Sequence, residues 1–208
     1  MFRFRPPIPD DAALLLEWRK RPDVTRWMFT DIDHGVEAQR GWIERSAARA
    51  DLRHFVIEAS GDGHRPVGYL AFAQIDGTSR HCSTGHYFAD AEDRRRFGGY
   101  MHAFILDYAF YRLGMNKVVN SFMAGNSKVL KLQSILRYRP VGVYREHVFK
   151  YGAWHDVHVF EMMEREWATH PHPFPRDATL GAYMDCPEDQ PGSIRLPAMW
   201  RTPSASLV

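Results

Sequence analysis

The chain is short of cysteine, of any excess of one charge and of long apolar runs, and each shortage closes off a class of function. Cys82 and Cys186 are its two cysteines. With no C-x-x-C spacing, neither a disulfide framework nor a cysteine zinc site is expected, and no metal is assigned. The formal net charge is +2, so the molecule as a whole offers no field for nucleic acid or an anionic membrane, and any basic site has to be local. No uncharged stretch approaches the roughly 20 residues of a spanning helix, and the opening MFRFRPPIPDD lacks the apolar run of a secretory leader. These shortages set the expectation of a cytoplasmic protein whose partners are neither membrane nor nucleic acid.

What is present is the material for one core: 45% hydrophobic against 25% charged residues is the balance of a soluble globular domain. FRFR alternates like a strand and is closed by PPIP. Asp10 or Asp11 then caps a helix carrying Leu14, Leu15 and Trp18, which stops at Arg21-Pro22. A helical turn over VTRWMF and an amphipathic helix over about 34–50 follow. From Arg53 the period becomes two. HFVIEA, VGYLAFAQID and HCSTGHYFAD, separated by GDGHRP and DGTSR, predict three antiparallel strands. KVVNSFMAG predicts another strand, Asn126 the cap of a helix over SKVLKLQSILRY, and VGVYREHVFK with HDVHVFEMM a hairpin around Tyr151-Gly152.

The expected class is α+β, a mostly antiparallel sheet flanked by helices, over residues 1–166, with the mixed pairing implied by the resemblance given below. Residues 167–208 are proline-rich and lose the period, so they are expected to be an irregular or docked extension. Phe174, Tyr183, Met199 and Trp200 are more apolar anchors than a linker needs, compatible with packing over the domain or reaching a second copy in a homodimer. The histidines of HPHPFP lack the third partner a metal site needs.

Between the third strand and the next helix lies DRRRFGGYMHAFILDYAF, from Asp93 to Phe110. Read as a cationic, glycine-bearing turn before a helix start, it suits an anion. The first helical N–H groups lack intrahelical partners, and glycine lets the backbone come close. The amides of Gly98, Gly99 and Tyr100 would cradle phosphate while Arg94, Arg95 and Arg96 add charge-assisted contacts. Taken alone, the arginines read equally as a solvated surface cluster.

The order of elements, together with EWRKRPDVTRWMF, the GHY strand, the paired glycines before a helix ending in YAF, GNSKVLKLQ and HDVHVFEM, resembles the acetyl-coenzyme A-dependent N-acetyltransferases of the GNAT superfamily over about residues 1–165. Within it the chain is similar to the branch of ribosomal-protein N-terminal acetyltransferases and bacterial amino-sugar N-acetyltransferases, above all those acting on nucleotide sugars in pseudaminic acid synthesis. The resemblance implies transfer of acetyl from acetyl-coenzyme A to a small primary amine, most simply that of a nucleotide-linked amino sugar, by direct attack in a ternary complex. It implies that HCSTGHYFAD splays from KVVNSFMAG, with N–H groups near Tyr87 and Phe88 for the thioester oxygen. Asn126 would hold the pantetheine arm as well as cap its helix, Lys128 is a weaker phosphate candidate, and Arg19, Arg26, Trp27 and Met28 would face the acceptor. For Trp27 and Met28 a place in the core is the equal alternative.

Two positions depart from the family pattern. The phosphate motif Q/R-x-x-G-x-G/A falls on 94–99 with Phe97 where its first glycine belongs. The tyrosine that protonates the departing thiolate is replaced, counting from Asn126, by Gln133, which cannot donate a proton to a thiolate. Ser134 and Tyr138 are the neighbouring acid candidates, and His86, Asp90 and Glu58 the base candidates. His86 and Tyr87 must face opposite sides of the sheet. A protein N-terminal acetyltransferase and a non-catalytic module that holds coenzyme A stay open as alternative readings.

Overall fold

The computed structural model describes residues 2–59 and 63–169; the apolar residues placed in the extension at 174, 183, 199 and 200 lie outside them. The elements run β1 (Phe2–Arg5), a 3-10 turn, α1 (Ala12–Lys20), α2 (Pro22–Thr25), α3 (Val36–Ser46), β2 (Leu52–Ala59), β3 (Arg65–Asp76), β4 (His81–Phe88) and α4 (Ala91–Asp107). A π-helical turn, Tyr108–Arg112, ends α4, and β5 (Lys117–Met123), α5 (Ser127–Ile135), β6 (Arg139–Lys150), β7 (Ala153–Met163) and α6 (Glu164–Thr169) complete the chain.

One seven-stranded sheet carries these elements in the order β1-β2-β3-β4-β5-β7-β6. Every neighbouring pair is antiparallel except β4 with β5. This is the mixed, mostly antiparallel sheet that the resemblance implies. Period-two patterning decides the two faces. Phe55, Ile57, Leu70, Phe72, Cys82 and Phe88 join Met101, Phe104 and Ile105 of α4 in the larger core, which Leu136 and Tyr138 extend beneath α5. On the opposite face Val56 and Ala89 meet Leu15 and Trp18 of α1 and Ile43 of α3, with Tyr69 and Tyr87 packed alongside. At Tyr151 and Gly152, φ values of 53° and 75° make the tight hairpin turn that joins β6 to β7.

Two boundaries differ from the sequence reading. Helix α4 begins at Ala91, capped by the Asp90 carboxylate accepting from the Asp93 amide at 2.8 Å. The segment 94–100 is therefore helix interior rather than a turn, because Asp90 and the acidic first turn supply a better N-terminus than the later arginines do. Trp167, where the extension was expected to begin, is 1% exposed in the larger core, its indole N–H donating to Asp107 at 2.7 Å. A single apolar anchor in a polar stretch carries no period by which a sequence could reveal it.

Candidate active site

The ladder between β4 and β5 has two register pairs, His81 with Lys117 and Cys82 with Val118. Beyond them the strands part. At the parting Asn120 stands in for the lost ladder: its Oδ1 accepts from the Thr84 amide at 3.1 Å and the Thr84 hydroxyl at 2.9 Å, and its Nδ2 donates to the Tyr138 oxygen at 3.4 Å. A side chain thus holds the crotch of a V whose arms are Gly85–Phe88 and 121–123.

Which amides face the V follows from two bonds. The Ala89 N–H donates to Val67 on β3, and the Thr84 N–H points to β5. Alternation along the strand sends the amides of 85 and 87 to β3 and those of His86 and Phe88 toward β5. Of the amides expected near Tyr87 and Phe88, one of which was to meet the thioester oxygen, that of Phe88 faces the gap, while that of Tyr87 is directed to β3 and the neighbouring amide on the open side is that of His86. The close approach of β3 here demands glycine, since a Cβ on Gly68 would lie 2.4 Å from the Tyr87 carbonyl oxygen.

Side chains divide by face. His86 lies on the α4 side, its ring 4.5 Å from that of His102. Burial pushes His86 down to about 4 and His102 well below its ordinary value. An imidazole so weakened as a base gains little by accepting the amine's proton, which argues against His86 in that role. Tyr87 points the other way, stacked on Tyr69 at 5.5 Å and close enough to Arg19 for their charges to couple. Glu58 is committed to Arg5 at 2.6 Å, two strands from the V, and Asp90 is the cap of α4. Both carboxylates are thus already engaged by partners of their own.

The acid candidates also separate. The Ser134 hydroxyl donates back to the Leu130 carbonyl at 3.1 Å on the exposed side of α5, so it is turned away from the V. Tyr138 is 5% exposed, its phenol raised by burial and engaged by Asn120. It is a core residue that reaches the crotch only through Asn120. Gln133 is 2% exposed with its Oε1 unpartnered, an acceptor in want of a donor. Asn126 caps α5, accepting from the Val129 amide at 3.4 Å, and Lys128 is exposed.

At the far arm, Arg94, Arg95 and Arg96 lie exposed on the first two turns of α4, Arg94 3.8 Å from Asp23 of α2. Gly98 and Gly99 are half-buried within the helix, and the Tyr100 backbone is helical with them. The terminal amides expected of 98–100 belong instead to the start of the helix at Ala91, where Asp90 already occupies one. On the opposite lip, Trp27 closes against the end of β5: a Cβ on Gly125 would lie 3.9 Å from its ring. The Arg26 guanidinium sits 5.1 Å from the same ring. Half-buried Arg19 donates to the Thr30 carbonyl at 2.8 Å, and Met28 gives its carbonyl to Lys150. The involvement of Lys150 and Asn120 escaped sequence reasoning, because nothing in VFKYG or VVNSF marks a polar residue that a sheet will bury.

Residues 2–136 match the acetyltransferase (GNAT) domain. The chain belongs to the GNAT acetyltransferase family. A Bacillus licheniformis relative, Uncharacterized N-acetyltransferase p20, is 23% identical over 163 residues, spanning 76% of this chain and 90% of the relative. The fold is shared with the Vibrio cholerae spermidine N-acetyltransferase solved with CoA and spermine, at a TM-score of 0.75 and 16% identity over 81% of this chain and 98% of that one. A structure described as a probable acetyltransferase superposes with a TM-score of 0.68 at 19% identity, over 80% of this chain and 94% of that one. This GNAT protein is an enzyme whose acyl donor is acetyl-coenzyme A. The V between β4 and β5, the donors facing it and the basic turns of α4 fit an extended thioester with a phosphate end. The Cys82 thiol, pushed up to about 12 by burial, stays protonated at neutral pH and offers no thiolate to carry the acyl group. Among the described residues no helix is long and apolar enough to cross a membrane.

Proposed function

We propose that this acetyltransferase acetylates the primary amine of a nucleotide-linked amino sugar, by direct attack with both substrates bound. The observation that carries the reading is the chemistry of the acceptor lip. Arg19 and Arg26 stand there beside Tyr87 and Trp27, and cations beside aromatic faces suit a diphosphate with its base and sugar. Asp31, a carboxylate of this lip, is already paired with Lys150 at 2.8 Å, which leaves it little to offer a polycation.

In the reaction the amine nitrogen forms a bond to the acetyl carbon as the carbon–sulfur bond breaks, and one amine proton is lost while the sulfur departs as thiolate or thiol. The amides of His86 and Phe88 face the V where charge develops on the thioester oxygen, a contribution that does not depend on side-chain identity. With His86, Asp90 and Glu58 engaged elsewhere, the amine proton leaves to solvent, and with Gln133 in the tyrosine's place the thiolate is protonated from solvent. Arg94, Arg95 and Arg96 would meet the phosphate end of the donor.

Release of free thiol from acetyl-coenzyme A tests this against a UDP-linked amino sugar, spermidine and a free peptide. Saturable turnover of the sugar nucleotide well above the other two is the expected result. Preference for spermidine would overturn the acceptor assignment, preference for the peptide would favour a protein N-terminal acetyltransferase, and tight donor binding with no turnover of any amine would leave a non-catalytic module.

A further inference from the structure

Lys150 is 4% exposed, and its ammonium meets three oxygens of one distant loop. It donates to the carbonyls of Thr25 at 2.7 Å and Met28 at 2.8 Å, and pairs with the Asp31 carboxylate at 2.8 Å. Three N–H donors thus have three acceptors, all within residues 25–31, the last residue of α2 and the loop that follows it. Arg19 grips the same loop from α1, at the Thr30 carbonyl and, at 3.4 Å, the Thr25 hydroxyl, which in turn donates to Asp31 at 3.3 Å. The clamp is fixed at its own end too, since the Lys150 carbonyl accepts from His155 Nε2 at 3.0 Å. The loop held in this way carries Trp27, whose ring closes on Gly125 at the mouth of the V.

Burying an ammonium carries a desolvation cost that an apolar residue of similar volume would not. What the lysine supplies that a methionine could not is a fixed position for three loop oxygens. We propose that Lys150 is a positioning residue for the acceptor: it locks the 25–31 loop to the β6–β7 hairpin, so that Trp27 and Arg26 stand as a rigid wall of the acceptor cleft. This rests on the reading of that loop as the acceptor lip, and it assigns the hairpin turn a role in acceptor affinity without contact to the acceptor.

Hydrogen exchange and steady-state kinetics on Lys150→Met and Lys150→Arg test it. The Met variant should speed exchange of the 25–31 amides at least tenfold while those of β2 and β3 keep their wild-type rates. It should raise the KM for the UDP-linked amino sugar at least fivefold with kcat within twofold and acetyl-coenzyme A affinity unchanged, and the Arg variant should recover part of both. Unchanged exchange in 25–31 overturns the proposal, and so does faster exchange with no change in acceptor KM. If the wild type acetylates spermidine in place of the sugar nucleotide, the acceptor assignment has failed on its own, and the same KM comparison is made on spermidine. Should Lys150→Met not fold, Asp31→Asn, which alters the exposed partner alone, is read by the same two criteria at smaller amplitude.

Discussion

Asn120 of β5 accepts both the amide and the hydroxyl of Thr84 on β4, just past the last register pair of the sheet's one parallel junction. The strands are thus joined at the crotch by a side chain rather than by a ladder, and outward of it they form no further register pair among the described residues. Replacing Asn120 by Ala leaves the Thr84 amide facing the gap and the Tyr138 oxygen without its donor. An unsatisfied buried group costs about 1–3 kcal/mol, so Asn120→Ala should lose about that much in urea unfolding, with an unchanged m-value. Stability equal to wild type would mean that water replaces the amide fully and that Asn120 does not hold the crotch.

Gly98 offers a second test, because its place in a helix interior costs stability without visible return. A Cβ there would meet nothing nearer than Arg94 Cγ at 4.0 Å. Gly98→Ala should therefore stabilise the protein by about 0.5–1 kcal/mol on helix propensity alone. If the glycine serves close approach of the donor's phosphates, the same variant should bind acetyl-coenzyme A at least tenfold more weakly by calorimetry, as should Arg94/Arg95/Arg96→Ala. A more stable protein with wild-type affinity would detach Gly98 from the phosphate end.

The strands β2, β3 and β4 and the Asn126 cap were legible because each is a local pattern with one physical cause: short apolar runs closed by glycine-bearing turns, and a side-chain acceptor ahead of a helix. The start of α4 was not legible in the same way. DRRRFGG holds two competing signals, a glycine pair and an acidic cap upstream, and Asp90 wins because its carboxylate accepts a real amide hydrogen bond. The direction of the amides along β4 needs one pairing to be known before alternation can supply the rest. Lys150 is beyond sequence reasoning altogether, since its three partners lie more than a hundred residues away.

Gln133 occupies a buried place with its side-chain oxygen unpartnered, which argues against a purely structural role. If thiolate departure draws its proton from solvent, Gln133→Tyr should restore a donor and raise kcat severalfold, provided protonation contributes to the slow step. The solvent isotope effect on kcat should fall at the same time. A rate equal to or below wild type would show that a thiolate with a pKa near about 8.5 leaves without help.

Two buried histidines, His54 and His102, and the half-buried His86 set the acid side of the stability profile. His54 and His86 are each pushed down by burial from 6.5 to about 4, and His102 lies well below its ordinary value. His54 is held neutral by its bonds: the Ser46 hydroxyl donates to the Ile43 carbonyl, so His54 Nε2 donates to Ser46, and its Nδ1 accepts from Tyr69. The unfolded chain takes up protons at these sites below about pH 6.5 while the folded protein does not. Stability is therefore full above that pH and falls as pH drops from 6.5 toward 4, with a slope of up to about 1.4 kcal/mol per pH unit for each histidine. Asp11, whose folded value lies below 3.8 because Arg5 and the Ile8 amide hold its carboxylate, adds its own loss only at lower pH. Urea midpoints measured from pH 7.5 to 4.5 should trace this slope, and His102→Gln should flatten it by about one histidine's share. A wild-type profile flat to pH 5 would mean that these imidazoles are as readily protonated in the folded protein as in water, and that the His86–His102 contact does not exclude charge.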